Sequence, residues 1–230
     1  MLTGITHRMG QHAPAVPRVF VQKPWNAGIY VRFGKRAMDI VATLLIIVAL
    51  LPVLMAGMIL AALDGNSPLF GHIRMGRHGK PFRCLKLRTM VKDAEKQLAS
   101  ILRHDPDAAR EWAKHQKLVN DPRITPVGRF LRSSFLDELP QLVNVLRGEM
   151  SLVGPRPVTA QELSRYKGSR YVVLGVRPGM TGAWQVTAHD TTSFEDRVRM
   201  DVDYVYSMSF VNDLKILLRT VLVVLGRRGR

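Results

Sequence analysis

The chain has 230 residues, enough for one folded domain with additional segments, and its 34 Lys and Arg against 18 Asp and Glu give a net charge of +16. This charge implies an anionic partner, which can be nucleic acid, anionic lipid or a phosphorylated substrate. Cys84 is the only cysteine, which excludes an internal disulfide and a cysteine-cluster metal centre, and the seven histidines lack the spacing of a metal site.

The first segment, residues 1–34, contains prolines and basic residues but no acidic residue and no sustained apolar periodicity. This composition predicts a flexible basic tail. Two roles fit such a tail, attraction to anionic lipid and an ordinary solvated terminus, and the residues do not decide between them.

A charge-free apolar run extends from Ile40 to Leu63. As a helix it is about 36 Å long at 1.5 Å per residue, which is enough to cross the hydrocarbon core of a bilayer. Its position after residue 30 and the lack of a small-residue cleavage pattern argue against a cleaved signal peptide. The run is therefore predicted to be a retained membrane helix.

Basic residues flank the apolar run on both sides, with Lys35 and Arg36 before it and Arg74 among those after it. Basic flanks favour the cytoplasmic side, so a helix that returns to the same face satisfies both flanks, whereas a simple crossing does not. Pro52 supplies a break near the middle. We therefore predict a re-entrant membrane segment of helix, break and helix over residues 35–66, with a spanning helix that tolerates the proline as the alternative.

Asp39 stands at the entrance of this apolar run, where a charged group is costly in lipid. Two arrangements would reduce that cost. Its carboxylate can pair with Lys35 or Arg36, or it can cap the start of the helix.

The segments after the apolar run predict a small β element followed by helices. Turn residues, then a loose alternation from Leu69 to Gly79 and a second short run through Met90, are typical of a small β element. The stretch 92–117 predicts two amphipathic helices, which are separated by Asp105 as an N-cap and Pro106 as the first helical residue.

Two adjacent acids, Asp137 and Glu138, precede a predicted helix that has Pro140 in its first turn. If the helix begins near Asp137, the positive end of its dipole favours a carboxylate or a phosphate there, and Ser133 or Ser134 is the alternative cap. An acid pair in a strongly basic chain can hold a divalent cation and supply a nucleophile. The pair therefore indicates phosphoryl-group transfer.

Four basic residues are candidates for contacts with an anionic ligand. Arg132 lies just before the pair, and Arg156 is held between two prolines on a stiff, extended backbone. Lys86 and Arg88 share one face of a strand by alternation, so both can point at one ligand. Guanidinium groups match phosphate oxygens in geometry and charge. The plainer interpretation of each is a solvated surface residue.

Near the end of the chain, the 12 residues from Leu214 to Leu225 are mostly apolar but too few to span a bilayer. This segment can lie in the membrane interface or pack on the domain core. We predict an interfacial helix here. It ends a predicted catalytic domain that covers residues 67–230. The fold class is then α+β, a mostly helical, small membrane-associated domain with an N-terminal re-entrant helix and minor β elements.

Ordered motifs over about residues 35 to 225 resemble those of the bacterial sugar transferase family, the monotopic polyprenyl-phosphate sugar-1-phosphate transferases. The contexts of His72 and Cys84 resemble most closely the undecaprenyl-phosphate galactose phosphotransferases of exopolysaccharide synthesis. The motifs are Lys35-Arg36-Ala37-Met38-Asp39, Lys86-Leu87-Arg88-Thr89-Met90, Asp121-Pro122-Arg123-Ile124-Thr125, Leu131-Arg132, Asp137-Glu138-Leu139-Pro140-Gln141, Gly148-Glu149-Met150-Ser151-Leu152-Val153-Gly154-Pro155-Arg156-Pro157 and Arg177-Pro178-Gly179-Met180-Thr181-Gly182.

The resemblance implies an enzyme that moves a sugar 1-phosphate, galactose or glucose, from a UDP-sugar to undecaprenyl phosphate and releases UMP. It implies that Asp137 attacks the β-phosphate to form a covalent phospho-sugar intermediate. Mg²⁺ is the expected cofactor, with Glu138 and Asp137 as its ligands. The expected substrate- and phosphate-binding residues are Lys86, Arg88, Arg132, Arg156 and Asp201.

The same resemblance implies a location and partners. The expected location is the bacterial inner membrane, with the catalytic domain on the cytoplasmic face. Membrane lipids are expected partners and nucleic acid is not, and a homodimer is compatible with the resemblance. The competing interpretation is a non-catalytic basic membrane scaffold that binds anionic lipid or nucleic acid.

One departure from the family pattern affects the site. The family commonly has Trp-Gln-Val followed by Ser-Gly-Arg, whereas this chain has Trp184-Gln185-Val186-Thr187-Ala188-His189. Histidine is neutral or partly charged near neutral pH, so a contact that the arginine makes is altered here. Altered donor specificity, compensation by Arg197 or Arg199, and an inactive family member are the three consequences we consider.

Overall fold

A computed structural model of the chain describes residues 28–63, 65–115, 117–187 and 192–226. Most of the predicted tail, residues 1–34, lies outside these ranges. Its last residues are folded, because a π-helical turn at Tyr30–Gly34 leads into the first helix. The Tyr30 hydroxyl donates a hydrogen bond of 2.5 Å to Asp213, and its ring meets that of Phe210 edge to face. The boundary predicted at residue 34 is therefore wrong by about one helical turn, since these tertiary contacts order the segment.

Helix α1 (Lys35–Ala62) contains the apolar run. It is long and apolar enough to cross a membrane by length and composition, and most of its length is exposed, including Leu45, Val48 and Ile59. The helix continues through Pro52 without an interruption. The helix is therefore continuous at the position where a break was predicted. The re-entrant course through the membrane stays a prediction.

Both ends of α1 contact the rest of the domain. Near its start, Lys35 forms a buried ion pair of 2.6 Å with Asp213, and Arg36 donates to the carbonyl oxygens of Val145 and Leu146. Near its end, Ala61 is buried in a cluster with Leu87 and Leu131. The apolar middle of the helix thus lies between two anchored ends.

Asp39 is buried, and its hydrogen-bond partners differ from those predicted. Its Oδ1 accepts hydrogen bonds from the Ser151 hydroxyl at 2.9 Å and from the Leu152 amide at 3.0 Å. These groups come from a strand more than 100 residues away in the chain, which local sequence does not reveal. The hydrogen bonds to this carboxylate therefore come from the domain rather than from a helix cap. The charge of Lys35 also stabilises it, in agreement with one of the two predicted arrangements.

The predicted β element is confirmed as an antiparallel hairpin of β1 (Leu69–Met75) and β2 (Pro81–Leu87). Its turn is a short 3₁₀ helix, Arg77–Gly79. Phe82 and Cys84 alternate inward and join the main core. The hairpin thus presents one packed face to the helices.

The two amphipathic helices are also confirmed, as α2 (Ala94–His104) and α3 (Pro106–His115). Asp105 accepts hydrogen bonds from the amides of Asp107 and Ala108, as an N-cap side chain does. The local sequence alone was sufficient to place this boundary.

The acid pair does not begin a helix, contrary to the prediction. Helix α4 (Pro126–Ser133) ends before it, a separate 3₁₀ turn (Leu136–Glu138) carries both acids, and α5 (Gln141–Arg147) begins only after Pro140. Phe135 has a φ of 59°, a left-handed conformation that reverses the chain between α4 and the turn. The acids are therefore positioned by a tight turn rather than by a helix N-terminus.

The remaining elements complete a mostly helical fold with two small sheets. Strands β3 (Ser151–Val153) and β4 (Gly179–Thr181) pair in parallel. The main core contains Leu142, Met150 and Val205. The other helices are α6 (Ala160–Ser164), α7 (Arg170–Val173), α8 (Ala183–Thr187), α9 (Phe194–Tyr206) and α10 (Phe210–Gly226), with a 3₁₀ turn at Lys167–Ser169.

The C-terminal helix α10 packs on the core with one side and leaves the other side exposed. Ile216 packs into the core, and Thr220 meets Thr181 of β4 with 2.7 Å between the hydroxyl oxygens. The opposite side leaves Leu218 and Leu222 exposed. Core packing is therefore observed, and a role of the exposed side in the membrane interface stays a prediction.

Candidate active site

The acid pair lies on the 3₁₀ turn with its two side chains in different environments. Asp137 is buried, at 7% exposure, whereas about a third of the Glu138 side chain, 35%, is exposed. Leu136, between α4 and the acids, packs against Leu87 and Leu131 and so fixes the turn on the hairpin. The turn thereby holds one carboxylate inside the domain and presents the other at its surface.

Lys86 brings the hairpin and the acid pair together. Its Nζ lies 2.6 Å from Glu138 Oε1 and 3.8 Å from Asp137 Oδ2. Strand alternation directs Lys86 to this face, as predicted. One ammonium group therefore offsets the negative charge of two neighbouring carboxylates.

The environment of Asp137 favours its protonated form on balance. Burial raises the pKa of this carboxyl above its ordinary value, and the charge of Glu138 raises it further, whereas Lys86 and Arg132 oppose the shift. Arg132 is oriented by a hydrogen bond of 2.9 Å from its Nε to the Thr89 hydroxyl. The two cations therefore offset part of the effect of burial on this carboxyl.

Charged groups from the acid pair and from two arginines act on Cys84. Its thiol is buried in the core, and burial raises its pKa, so it packs rather than acting as a thiolate. The charges of Lys86, Glu138, Arg74 and Arg156 all act on it. Arg156 and Glu138 are therefore both near enough to Cys84 for their charges to act on its thiol.

A close contact between two glycines places the loop that carries Arg156. A Cβ on Gly154 would lie 2.7 Å from the Gly179 amide nitrogen, and one on Gly179 would lie 2.1 Å from that of Gly154. Neither position has room for a side chain. Strands β3 and β4 can thus approach closely and deliver the Pro155-Arg156-Pro157 segment to the site.

The guanidinium groups near this loop have buried nitrogens without hydrogen-bond partners. Among the residues that the structure describes, these include Nε of Arg156 and both Nε and Nη2 of Arg197. Arg197 lies over the rings of Trp184 and Phe194. Buried donors of this kind cost free energy unless a ligand or water meets them, so the cluster is suited to binding an anion.

Glu162 organises this arginine cluster. Its Oε2 pairs with Arg74 at 2.8 Å, and its Oε1 lies 3.8 Å from Arg197. Sequence reasoning missed Arg74 and Glu162 as site residues. Alternation along β1 was a usable signal for Arg74, because it shares a hairpin face with Cys84 and Lys86, whereas Glu162 is revealed only by the tertiary contact.

Asp201 is buried and accepts a hydrogen bond from the backbone amide of Arg156. It is 1% exposed and accepts a hydrogen bond of 2.9 Å from the Tyr166 hydroxyl. Its pKa is raised on balance to about 6, because burial raises it by more than the Tyr166 hydrogen bond, the charge of Arg197 and the backbone amide of Arg156 lower it. This predicted substrate-binding residue is enclosed by protein groups, so its influence on a ligand is exerted through Arg156.

Arg88 differs from Lys86 in its surroundings, although alternation places them together. Its guanidinium donates to the carbonyl oxygens of Ser67 at 2.8 Å, Ala61 at 2.7 Å and Met90 at 3.2 Å. These bonds join the hairpin to the carbonyl end of α1. Its observed role is structural, and the predicted phosphate contact stays a prediction.

Residue His189 lies outside the described residues, so the structure does not address its replacement of arginine. The two candidates for compensation have different positions. Arg197 belongs to the arginine cluster, whereas Arg199 is 73% exposed in its side chain and lies 3.9 Å from Asp196. Of the two, Arg197 is placed to contact a ligand of the site.

Two carboxylates are available for a divalent cation. In the described part of the chain, no group of three or more His, Cys, Asp or Glu side chains converges. Magnesium commonly takes one or two protein carboxylates and completes its shell with water and phosphate oxygens. The oxygen donors of Asp137 and Glu138 fit that requirement.

Comparison with known proteins identifies relatives over nearly the whole described chain. This chain is 50% identical over 198 residues to the UDP-galactose-lipid carrier transferase of Erwinia amylovora. It is 47% identical over 198 residues to the undecaprenyl-phosphate galactose phosphotransferase of Salmonella typhimurium. Each of these matches covers 86% of this chain but 42% of the relative, so the chain spans about two fifths of their length.

A relative of similar size matches along most of both chains. The exopolysaccharide production protein ExoY of Rhizobium meliloti is 43% identical over 197 residues, which are 85% of this chain and 87% of that protein. The family model described as bacterial sugar transferase matches residues 30–227, which include the acid pair, Lys86 and the arginine cluster. This chain therefore belongs to the bacterial sugar transferase family.

Proposed function

We propose that this chain transfers a sugar 1-phosphate from a UDP-sugar to undecaprenyl phosphate and releases UMP. The observation that supports this most directly is that the cations Lys86 and Arg132 act on the buried carboxyl of Asp137, while Arg156 carries a buried Nε without a hydrogen-bond partner. A nucleophilic carboxylate and donors for phosphate oxygens are the two requirements of phosphoryl transfer through a covalent intermediate.

In the first step, a carboxylate oxygen of Asp137 attacks the β-phosphorus of the UDP-sugar. The bond between that phosphorus and the bridging oxygen to the α-phosphate breaks, and UMP leaves with the bond electrons. The sugar phosphate is then held as an acyl phosphate on Asp137. Arg156 and Arg132 offset the negative charge that accumulates on the phosphate oxygens.

In the second step, a phosphate oxygen of undecaprenyl phosphate attacks the same phosphorus. The acyl phosphate bond breaks, the carboxylate of Asp137 is regenerated, and the product is a lipid-linked sugar diphosphate. The two steps are displacements at one phosphorus, so the same donors serve both. Lys86 stabilises the carboxylate whenever it is free.

Magnesium is the proposed cofactor, held by Glu138 and Asp137. When bound, it would supply charge neutralisation for the diphosphate of the donor. The ammonium group of Lys86 already contacts both carboxylates. Its positive charge reduces the repulsion between these carboxylates and an approaching anionic substrate.

The proposed location is the bacterial inner membrane, with the site at the cytoplasmic face. The long apolar helix α1 and the exposed apolar side of α10 support membrane association. Both ends of α1 contact the same domain, which agrees with the re-entrant course favoured by the basic flanks. An acceptor lipid phosphate and a soluble nucleotide can both reach a site at such a surface.

The proposed donor is UDP-galactose, with UDP-glucose as the second choice. Two relatives are named for galactose or UDP-galactose, and their identity to this chain is 47% to 50%. These names belong to proteins more than twice as long as the matched region, so the donor must be determined on this chain itself.

A donor screen tests the function. The full chain, reconstituted with undecaprenyl phosphate and Mg²⁺, is given labelled UDP-galactose, UDP-glucose and other UDP-sugars, and UMP release and labelled lipid are measured. We expect equal amounts of UMP and lipid-linked sugar with one donor. Absence of UMP with every donor, together with salt-sensitive RNA or lipid binding, would establish the scaffold interpretation instead.

If no donor is turned over, the replacement at residue 189 is the next variable. A His189→Arg variant that gains activity would show that this chain is an inactive family member. Equal inactivity in the variant and the natural chain would reject the proposed reaction.

A further inference from the structure

The hairpin-turn cavity is a second basic site, far from the acid pair. It has a volume of about 340 Å³ and lies between the turn of the hairpin, the end of α5 and the segment before β4. Lys86 lies five residues along β2 from Pro81, which lines this cavity, so the two sites are roughly 17 Å apart along the strand. The lining residues that the argument uses are Arg77, Lys80, Arg147, Gly148, Glu149 and Arg177.

Positive charge dominates the lining of this cavity. Arg77, Lys80, Arg147 and Arg177 supply four cationic side chains. Glu149 is the one acid among the described lining residues, and its carboxylate already accepts a hydrogen bond of 2.6 Å from Asn144. The cavity therefore gathers like charges without an equal number of opposite charges.

Backbone contacts hold two of these arginines at the cavity. Arg77 donates from Nε to the Gly175 carbonyl at 3.1 Å, and Arg177 donates from Nε to the Gly148 carbonyl at 2.7 Å. Burial lowers the pKa of Arg177, and the charges of Arg77 and Arg36 lower it further. Mutual repulsion is thus built into the fold at this point, and a bound anion would relieve it.

Arg36 connects the cavity to the apolar helix. Its Nη2 lies 3.6 Å from the position of a Cβ on Gly148, a lining residue, and it belongs to the first turn of α1, just before the apolar run. An anion in the cavity would therefore sit next to the boundary at which the apolar segment begins. Phosphate is the anionic group found at such a boundary, on phospholipids, and also in solution.

We propose that the hairpin-turn cavity binds a phosphate group that is distinct from the substrates of the acid pair. The four cations offer charge-assisted hydrogen bonds to its oxygens. The group can come from the headgroup of an anionic phospholipid or from a soluble phosphate compound, which present the same chemistry. This inference rests on the cavity and its charges and does not depend on the proposed transferase function.

The test compares a cavity variant with a matched control of equal charge. Lys80→Gln with Arg147→Gln removes two cations whose side chains are exposed in the cavity wall. Lys96→Gln with Arg199→Gln removes two cations at side-chain exposures of 83% and 73%, outside the cavity. The unliganded thermal midpoint of each purified full-length variant shows whether it folds, and Lys80→Gln alone replaces the double variant if that fails.

Two probes distinguish the sources of the phosphate. Affinity is measured for pyrophosphate with detergent-solubilised protein, and for phosphatidylglycerol in nanodiscs with phosphatidylcholine as the background lipid. We expect the cavity variant to bind at least one probe about tenfold more weakly than the control, which corresponds to the loss of one charge-assisted hydrogen bond or more. A loss confined to phosphatidylglycerol assigns a lipid headgroup, and a loss confined to pyrophosphate assigns a soluble phosphate.

The proposal is overturned if the cavity variant and the control bind both probes equally, or if the natural chain binds neither. Residual pyrophosphate binding shared by all variants belongs to the acid-pair site and its arginines. UMP release is measured on the same samples, so a failure of the cavity proposal is separable from a failure of the transferase proposal.

Discussion

The ammonium nitrogen of Lys86 lies 3.8 Å from Oδ2 of Asp137, a carboxyl that is otherwise buried. Burial raises the pKa of this carboxyl and so favours its protonated form, which is a poor nucleophile. The lysine offsets part of that effect without forming a short hydrogen bond. The relationship between these two residues thus sets how much of the reactive carboxylate is present at a given pH.

Replacing Asp137 by Asn is expected to abolish UMP release and formation of the lipid-linked product. The amide is close in shape but is not a competent phosphoryl acceptor. Intact-mass analysis of the natural chain, quenched after mixing with a UDP-sugar in the absence of lipid acceptor, should show an acid-labile sugar-phosphate adduct that the variant lacks.

Asp203→Asn is the matched control for this substitution, because Asp203 is an exposed acid on α9. It should retain turnover and the adduct. Turnover that persists in Asp137→Asn would reject the nucleophilic role of Asp137.

Replacing Lys86 by Gln is expected to move the acid limb of the pH–rate profile to higher pH. The ammonium lowers the pKa of Asp137, so its removal leaves burial and Glu138 to raise that pKa further. Because the ionised form is required, a higher pKa means less active enzyme at low pH. Lys96→Gln, at a lysine that is 83% exposed, is the control and should leave the profile unchanged. An acid limb that stays in place in Lys86→Gln would contradict the assigned electrostatic role.

Replacing Gly154 by Ala is expected to reduce activity more than tenfold and to lower stability by about 2 kcal/mol or more. The added Cβ would lie 2.7 Å from the Arg177 carbonyl oxygen and the Gly179 amide nitrogen, so the strands must separate and Arg156 must move. Gly168→Ala is the matched control, since a Cβ there meets nothing within 4 Å. Activity and the unfolding midpoint should change in the first variant only, and equal behaviour of both would refute the close-approach argument.

Replacing Lys35 by Met is expected to destabilise the domain by about 3–5 kcal/mol, because it leaves a buried charge without its partner. The pair with Asp213 is 2.6 Å long, with side-chain exposures of 12% and 0%. Lys96→Met breaks an exposed pair with Asp93 of 3.3 Å and should cost less than about 1 kcal/mol. Denaturant unfolding of both variants measures the difference. Equal costs would show that Lys35 does not anchor α1 through this pair.

Replacing Asp201 by Asn is expected to flatten the pH dependence of stability between about pH 4 and pH 6. Burial raises the pKa of Asp201 from 3.8 to about 6, so the folded chain binds more protons than the unfolded chain in this window and loses stability as pH rises. The shift corresponds to an effect of at most about 3 kcal/mol. Unfolding midpoints across this pH range measure it. A slope in the variant equal to that of the natural chain would contradict a buried, titrating Asp201.

Local signals in the sequence were reliable where one short segment decides the outcome. The alternation from Leu69 predicted a small β element, which the structure shows to be a hairpin. Asp105 followed by Pro106 predicted the boundary between α2 and α3, because capping bonds join residues two or three positions apart. The apolar run from Ile40 predicted α1, because the length of such a run is also read from one continuous segment.

Long-range partners were not predictable in this way. Asp39 was expected to use its neighbours but accepts its hydrogen bonds from Ser151 and Leu152. Lys86 and Arg88 have the same strand parity, yet Lys86 meets the acid pair while Arg88 donates to backbone carbonyls at the end of α1. Parity fixes the direction of a side chain from its strand, whereas the groups it meets depend on which elements pack there.

The sequence by itself determined the family, the acid pair and the positions of the main helices and hairpin, since each is written in residues close together in the chain. Only the tertiary structure decided that Asp137 is buried, that Asp201 accepts a hydrogen bond from the Arg156 backbone amide and that Arg74 forms an ion pair with Glu162. The reason is physical. Burial, ion pairing and the satisfaction of guanidinium donors depend on distances through space, and folding sets these by packing segments far apart in the chain against one another.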